Sequence, residues 1–340
     1  MKLGSRIFLV LCASCILCAY SVPSSSAQTK PVKLTFSHFW PVGHPVTESL
    51  AEWGKEAEKR TKGSVTVVMF PGATLTPADK CYDGVVKGIS TMGSSALSYT
   101  RGRFPLMEVT DLPLGYKNAM AATKLSNGVY KKFHPKELDD VKVMFFHGTG
   151  PQLFHTKKPV RTLEDLKGMK IRTTGLGAKI VTALGATPVA MPMGDTYDAL
   201  AKGVADGSTA PIASLEGFKW GEVVKYTTEN FGTAYTTIFF VVMNKKTWNS
   251  LTPENQKIVE QVNEEWVDRI GKVQENYDLS GRNFALKLGN KIIPLSKEED
   301  ERWVEKVRST LDDYVKDTKA KNLPGDEVLK FALDSLKKMQ

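Results

Sequence analysis

The stretch GMKIRTTGLGAKIVTALGATPVAMPMGD, residues 168–195, contains the residue types best suited to ligand chemistry: Arg172, Gly175, Gly177 and Asp195. Two glycines between a short apolar strand and a helix resemble a dinucleotide-binding loop, but that loop needs a third small residue where this chain has Ile180. A proline and a glycine shortly precede Asp195, which is therefore predicted to cap a helix. We expect a loop whose glycines allow a ligand or a neighbouring segment to approach closely.

Arg172 stands at the carboxyl end of a strand predicted over residues 169–172. In open α/β sheets ligands bind at that edge. A guanidinium is planar and permanently charged, so it matches a carboxylate or a sulfonate with two parallel hydrogen bonds. The residues alone leave a second interpretation open, in which Arg172 is a surface side chain paired with a nearby carboxylate.

Other reactive side chains give weaker signals. Cys81 lies in DKCYDGVVKG, a predicted amphipathic helix without a nucleophile motif. This favours Cys81 as a small buried side chain, and the alternative left open is the nucleophile of a hydrolase. His38 and His44 are separated by a proline and a glycine and have no third ligand nearby in sequence. We therefore predict no enzyme, no metal site and no cofactor.

The beginning of the chain predicts export. Lys2 and Arg6 precede an apolar run over residues 7–20 that is short for a membrane span, and small residues lead to Ala27. We predict a cleaved signal peptide over 1–27 and a Gram-negative periplasmic protein, with lipidation at Cys15 as the alternative.

Composition adds limits on partners. The 340 residues carry a formal charge of +9, but lysines are mixed with acidic residues along the chain, unlike a nucleic-acid-binding stripe. We expect a monomer that neither binds nucleic acid nor is embedded in the membrane.

Strands and helices alternate in two parts of the chain, over residues 33–96 and 167–224, which predicts an α/β protein. Residues 234–243 form a β-rich run that is long enough to cross between domains. Apolar residues recur at helical spacing between Pro253 and Pro294, which predicts one long helix spanning both domains.

Several segments in order resemble the solute-binding proteins of tripartite ATP-independent periplasmic (TRAP) transporters, family 7. They cover most of the chain and are SHFWPVGHP, FPLMEVTDLPLGY, LEDLKGMKIRTTG, GATPVAMPMGDTYDALAKGVADG and VVMNKKTWNSLTPENQKIV. The resemblance implies a periplasmic binding protein fold of two α/β domains with crossing strands, a long helix along both and a ligand cleft between them. We assign residues 28–149 plus 238–277 to domain I and residues 150–237 plus 278–340 to domain II, with hinges near 148–150 and 234–237.

The resemblance also implies ligand contacts. The arginine of KGMKIR, Arg172, would hold the acidic group of the ligand. The family often has a second arginine after the glycine of the strand near 148–155, and in this chain Gln152 or a neighbouring residue is left in that role. Ala210 replaces a common asparagine, and Met193 replaces a frequent aromatic residue. These departures remove polar contacts, so a ligand with few hydroxyl groups is expected.

Side chains that follow predicted strands are further candidates for the cleft, with burial in the core as the alternative for each aromatic one: His38, Phe39, Trp40, Ser95, Tyr99 and Trp220. The sequence thus predicts a receptor that delivers a small organic anion to an integral-membrane TRAP permease. A monocarboxylate is the first expectation, a short sulfonate such as isethionate the second and an aromatic acid the third. The alternative is a sensing ectodomain that hands the same ligand to a signalling receptor.

Overall fold

The computed structural model describes residues 31–100 and 102–340. The predicted signal peptide therefore lies outside the described residues. Within them the strands are β1 (Val32–His38), β2 (Val65–Phe70), β3 (Met92–Ala96), β4 (Val141–Gly148), β5 (Leu153–Thr156), β6 (Lys170–Thr173), β7 (Thr187–Ala190), β8 (Gly207–Ala210), β9 (Tyr226–Glu229), β10 (Ile238–Asn244) and β11 (Lys291–Pro294). The α-helices there are α1 (Pro45–Arg60), α2 (Cys81–Val86), α3 (Ala119–Phe133), α4 (Leu163–Leu166), α5 (Gly177–Ala183), α6 (Thr196–Ala201), α7 (Ser214–Gly217), α8 (Lys245–Ser250), α9 (Pro253–Lys287), α10 (Lys297–Val307), α11 (Ser309–Lys319) and α12 (Gly325–Met339).

The first sheet has the strand order β2-β1-β3-β10-β4. Strand β1 runs parallel to β2 and β3, whereas β10 runs antiparallel to β3 and β4. Helices α1 and α9 cover one face, where the Trp53 indole donates to Asn263 and the Trp266 indole donates to the Ser49 carbonyl, at 2.9 and 3.0 Å. Burying these rings with their polar atoms satisfied fixes α9 on the sheet.

The second sheet has the order β11-β9-β5-β8-β6-β7. Strand β6 runs parallel to β7 and β8, and β5 runs antiparallel to β8 and β9. One face packs on Trp303 of α10, whose ring meets Phe154 edge-on at 5.4 Å, and the other packs on Trp220. The predicted α/β fold with two sheets is confirmed.

The long helix is also confirmed. Helix α9 has 35 residues, which at 1.5 Å per residue span roughly 50 Å. It begins with Pro253 after Thr252, whose hydroxyl accepts from the Asn255 amide at 3.2 Å. Its contacts include α1, α3 and β4 on the first sheet and α7 beside the second. A single rigid element therefore runs along both sheets.

The starts of α1 and α6 are set in different ways. Helix α1 begins at Pro45 after the cap His44, and Thr47 lies inside the helix, where its hydroxyl donates to the Pro41 carbonyl. Proline suits the first helical position because its φ angle is already helical. Asp195 stands at the predicted capping position before α6, but its side chain makes no capping bond, and the residue belongs to a 3₁₀ turn over Met193–Asp195.

The chain crosses between the sheets at two neighbouring segments. The backbone amide of Thr149 donates to the Thr237 carbonyl at 3.1 Å, and the backbone amide of Gln152 donates to the Tyr235 carbonyl at 2.8 Å. The C-terminal helix α12 packs on α3, beside the first sheet, although the sequence assigned residues 278–340 to the second domain. The domain boundaries stay a prediction.

Candidate functional site

Arg172 is the penultimate residue of β6 and is only 3% exposed. Its Nε and Nη2 atoms both donate to the Met191 carbonyl, at 3.0 and 2.9 Å. No ion pair of Arg172 occurs among residues 31–100 and 102–340. Burial lowers the pKa of the guanidinium, although an arginine remains charged. The carboxylate of Asp195 attracts this cation from beyond ion-pair distance. A buried cation that no carboxylate contacts in this part of the chain is suited to binding an anion.

Two aromatic side chains fix the surroundings of this cation. The Trp220 ring centre lies 5.6 Å from Cζ of Arg172, within the range of a cation–π contact. Tyr99 follows β3 of the first sheet, and its hydroxyl accepts a hydrogen bond from the backbone amide of Met193 at 3.4 Å. Burial raises the pKa of Tyr99, so this phenol stays neutral and remains a hydrogen-bond donor.

Arg172 faces a cavity with an empty volume of about 530 Å³, including space open to solvent at its mouth. Both sheets and α9 contribute to its walls. Its aromatic lining residues are Phe39, Trp40, Tyr99, Phe218, Phe239 and Tyr277. Its other lining residues are His44, Thr149, Gln152, Arg172, Thr174, Met193, Pro211, Ala213, Ser214, Thr237 and Gln274. The lining combines apolar rings with a small number of polar groups, which is typical of small-molecule sites.

A hydroxyl–amide group lies where the chain crosses between the sheets. Nε2 of Gln152 donates to the hydroxyls of Thr149 and Thr237, at 3.0 and 3.3 Å. These bonds use both amide hydrogens of a side chain that is 3% exposed. Gln152 therefore presents its oxygen as the remaining polar atom and is not a substitute for a second cation.

The glycines of the predicted loop serve close approach between protein segments. Gly175 has φ +54°, and a Cβ there would lie 2.6 Å from Cβ of Ser98. A Cβ on Gly177 would collide with the hydroxyls of Thr173 and Tyr235. The neighbouring segment, one of the two options left open, thus explains both glycines.

The structure brings six of the ten predicted site residues to the cavity wall: Phe39, Trp40, Tyr99, Gln152, Arg172 and Met193. The other four are not at the wall. Ser95 donates to the Ala78 carbonyl at 2.7 Å, Ala210 is buried within β8, and Trp220 lies beneath Arg172. His38 is 1% exposed and contacts the rings of Phe36 and Trp40.

The sequence missed several lining residues, above all His44, Gln274 and Tyr277. His44 was considered only as a metal ligand, and Tyr277 was one of the apolar positions that defined the long helix. Gln274 lies one turn before Tyr277 on the same face of α9, and this i, i+3 spacing was the available signal.

The remaining reactive groups are buried and neutral. Burial lowers the pKa of His38 to about 4 and that of His44 to about 3. Burial raises the pKa of Cys81 to about 12, and its thiol lies 3.7 Å from the Ser37 carbonyl. Such a thiol is not a nucleophile at neutral pH. Among the described residues, no three His, Cys, Asp or Glu side chains are grouped to hold a metal ion.

The part of the chain that the structure describes contains no helix with both the length and the apolar character needed to cross a bilayer. A cavity between two sheets, with one buried cation and an aromatic lining, is the geometry of a binding site.

Three solved structures are similar over almost the whole chain. A TRAP periplasmic solute-binding protein from Desulfovibrio salexigens DSM2638, in an open complex, is 33% identical, covers 90% of this chain and 96% of that chain, and has a TM-score of 0.81. A TRAP solute-binding protein from Rhodoferax ferrireducens T118 in complex with copurified benzoate is 29% identical, with coverages of 90% and 98% and a TM-score of 0.85. One from Bordetella bronchiseptica with bound (R)- and (S)-mandelate is 28% identical, with coverages of 91% and 100% and a TM-score of 0.85.

The family model for bacterial extracellular solute-binding protein family 7 matches residues 36–317. The resemblance read from the sequence motifs is thereby confirmed. The chain belongs to bacterial extracellular solute-binding protein family 7, the solute-binding proteins of TRAP transporters.

Proposed function

We propose that this protein is the periplasmic receptor of a TRAP transporter for a small carboxylate with an apolar, aromatic body, which it delivers to the membrane permease. The observation that carries the proposal is the buried Arg172, which has no carboxylate partner among the described residues and faces a cavity lined by aromatic rings. An uncompensated buried charge is costly, so an anionic ligand supplies the partner that the fold omits.

The lining favours an aromatic acid, which stood third among the expectations from sequence. Phe39 stacks on Trp40 with ring centres 4.2 Å apart, and Phe239 meets Trp40 edge-on at 4.8 Å. Flat apolar walls of this kind stabilise a flat apolar ligand through burial and ring contacts. The similar proteins from R. ferrireducens and B. bronchiseptica have bound benzoate and mandelate, which supports the same class here. A short sulfonate would leave much of this wall uncovered.

Binding would close the two halves of the site on the ligand. Arg172 belongs to the second sheet, whereas Phe39, Trp40 and Tyr99 follow strands of the first, so the ligand bridges both. The crossing segments at 149–152 and 235–237 are the hinges in this proposal. Small-angle scattering should show a smaller radius of gyration with saturating ligand. Tight binding without compaction would contradict the closure mechanism.

The ligand class is tested by calorimetry on the purified chain, after native mass spectrometry has identified any copurified molecule. Benzoate and mandelate should bind more tightly than isethionate and D-glucuronate, each tested at the same pH and salt. Benzamide is the matched neutral control, since it keeps the ring and removes the charge. Binding of benzamide as tight as that of benzoate, or preference for isethionate, would contradict the proposed class.

A further inference from the structure

The cavity is an aromatic slot with different chemistry at its two ends. From the Arg172 end, one wall runs through neighbouring rings from Tyr99 to Phe39, Trp40 and His44, with centre distances of 5.6, 4.2 and 6.4 Å. A second row of rings runs from Trp220, which lies beneath Arg172, to Phe218 and His44 at the wall, with centre distances of 6.3 and 5.8 Å. Both rows of rings converge on His44, whose ring meets Tyr277 edge-on at 4.9 Å.

The polar atom that His44 offers is fixed by the backbone. The Val46 amide donates to Nδ1 of His44 at 3.2 Å, so Nδ1 carries no hydrogen. A neutral imidazole has one N–H group, which is therefore on Nε2. His44 is 6% exposed and lines the cavity, so its Nε2–H group is a donor on a largely buried side chain at this end of the slot.

Tyr277 adds a second polar atom. Its side chain is 8% exposed, and its hydroxyl is buried without a hydrogen-bond partner among the described residues. A Cβ on residue 217 would collide with this hydroxyl, so Gly217 is what allows the phenol to lie here. The same position brings Gly217 close to Nε2 of His44, with 3.5 Å from the position of a Cβ to that nitrogen. A buried hydroxyl left without a hydrogen bond is costly, so a ligand that supplies the partner gains affinity.

The charge at this end is negative. Glu216 lies beside Gly217 in a neighbouring pocket that shares His44 and Tyr277 with the cavity. One carboxylate oxygen of Glu216 is buried and has no partner among the described residues. The residues lining that pocket include no lysine or arginine in the described part of the chain. This end of the slot is therefore suited to a neutral polar group and not to a second anion.

We propose that His44 and Tyr277 form a distal subsite that binds a hydroxyl group of the ligand, so that the receptor selects hydroxy-substituted aromatic monoacids. The ligand hydroxyl accepts from Nε2–H of His44 and donates to the Tyr277 oxygen. Glu216 excludes dicarboxylates by repulsion. The inference rests on the proposed function, because Arg172 must hold the carboxylate at the other end.

The test compares, for each variant, the Kd of a methyl-substituted acid with the Kd of the matching hydroxy acid. A substitution that weakens binding of all the acids equally leaves this ratio unchanged. Calorimetry measures 3- and 4-hydroxybenzoate against 3- and 4-methylbenzoate, which have similar shapes and no hydroxyl, with benzoate as the reference. In the wild type the better hydroxy acid should bind about tenfold more tightly than its methyl counterpart. Isophthalate and terephthalate should bind more weakly than benzoate, and Glu216→Gln should narrow that gap.

Two variants remove one polar atom each. Tyr277→Phe keeps the ring, and His44→Asn keeps a side chain able to cap α1 while it removes the imidazole N–H. Either substitution should reduce the hydroxy-to-methyl preference to less than about threefold. Tyr197→Phe is the matched control, since Tyr197 does not line the cavity and its hydroxyl bonds Glu222 at 3.1 Å. It should retain the full preference.

The outcomes separate this inference from the proposed function. If benzoate binds but the wild type shows no preference for a hydroxyl group, or if the preference persists in both variants, the distal subsite is wrong and the aromatic-acid receptor stands. If none of the acids binds, both proposals fail together. A preference that is lost in Tyr277→Phe and His44→Asn and retained in Tyr197→Phe supports the subsite.

Discussion

The end of β6 and the outer groove between α4 and α10 each hold an arginine, and the two regions treat the same group differently. In the groove, Arg302 is half exposed and donates to Glu299 at 2.6 Å and to Glu164 at 2.9 Å. At the end of β6, Arg172 is 3% exposed and its hydrogen bonds go to the Met191 carbonyl and to the Tyr99 hydroxyl. The surface guanidinium already has its anions, whereas the cavity guanidinium lacks one among the described residues.

The difference shows that an arginine is identified as ligand-binding by its burial and by the lack of a carboxylate in contact with it, and not by its residue type alone. An exposed ion pair exchanges water for a carboxylate with little net gain. The buried cation has given up water without a carboxylate in contact with it, so it retains affinity for an anion of the right shape.

The largest expected effect comes from removing the cavity guanidinium. Arg172→Ala should weaken binding of the carboxylate ligand by about 10²-fold or more, because a buried charge-assisted pair contributes ~2–4 kcal/mol. Arg172→Lys should recover only part of the affinity, since an ammonium cannot form two parallel bonds. Calorimetry with benzoate, or with the copurified ligand, measures both.

Arg302→Ala is the matched control and should leave Kd unchanged, because Arg302 contacts Glu164 and Glu299 and none of the three lines the cavity. Wild-type affinity in Arg172→Ala would remove Arg172 from the site. An equal loss in both variants would point to a general effect of positive charge.

A second, smaller effect should appear in the protein without ligand. Arg172→Met fills similar space without a charge, so it should raise the free energy of unfolding by about 1 kcal/mol or more. For a chain of this size that is a rise in Tm of roughly 2–4 °C. Thermal unfolding monitored by calorimetry without ligand measures it.

Arg302→Met gives the comparison, since it removes the same charge from a solvated ion pair and should not raise Tm. A lower Tm for Arg172→Met than for the wild type would mean that the bonds to the Met191 carbonyl outweigh the cost of burying the charge.

The sequence predicted the Arg172 end of the site because a strand edge and a family motif both indicate it. The expectation that residues at the ends of strands face the ligand is right for one of two neighbouring residues and wrong for the other. His38 ends β1 and lies inside the core, whereas Phe39, one residue later, lines the cavity. Successive side chains of a strand point to opposite faces of the sheet. An error of one residue in the predicted end of the strand therefore places a core side chain at the cavity wall, or a wall side chain in the core.

The distal end was beyond prediction for a different reason. Tyr277 occupies a buried position of a long amphipathic helix, and spacing alone cannot separate a helix side that packs on a sheet from one that faces a cavity. The approach of Gly217 to its hydroxyl joins two segments 60 positions apart in the chain. Only the packing of α7 on α9 brings them together.

Two carboxylates extend the comparison to acidic groups and to its dependence on pH. Burial raises the pKa of Asp278, which faces Gly150 at the crossing, to about 7, and Glu275 adds to the rise. Hydrogen bonding to Arg302 lowers the pKa of Glu164 to about 2. Because folded Asp278 keeps its proton to higher pH than the unfolded chain, its contribution to stability is full below pH ~4 and is lost as pH rises towards 7.

Asp278→Asn, whose amide oxygen can still accept from the Ala213 amide, should therefore raise Tm by a few degrees at pH 8 and by progressively less at pH 6 and pH 5. Glu164→Gln should show no such slope over this range, because a lowered pKa changes stability only between pH ~4 and 2. Equal Tm differences at every pH for Asp278→Asn would show that its carboxyl is ionised throughout and that burial at the crossing does not shift its pKa.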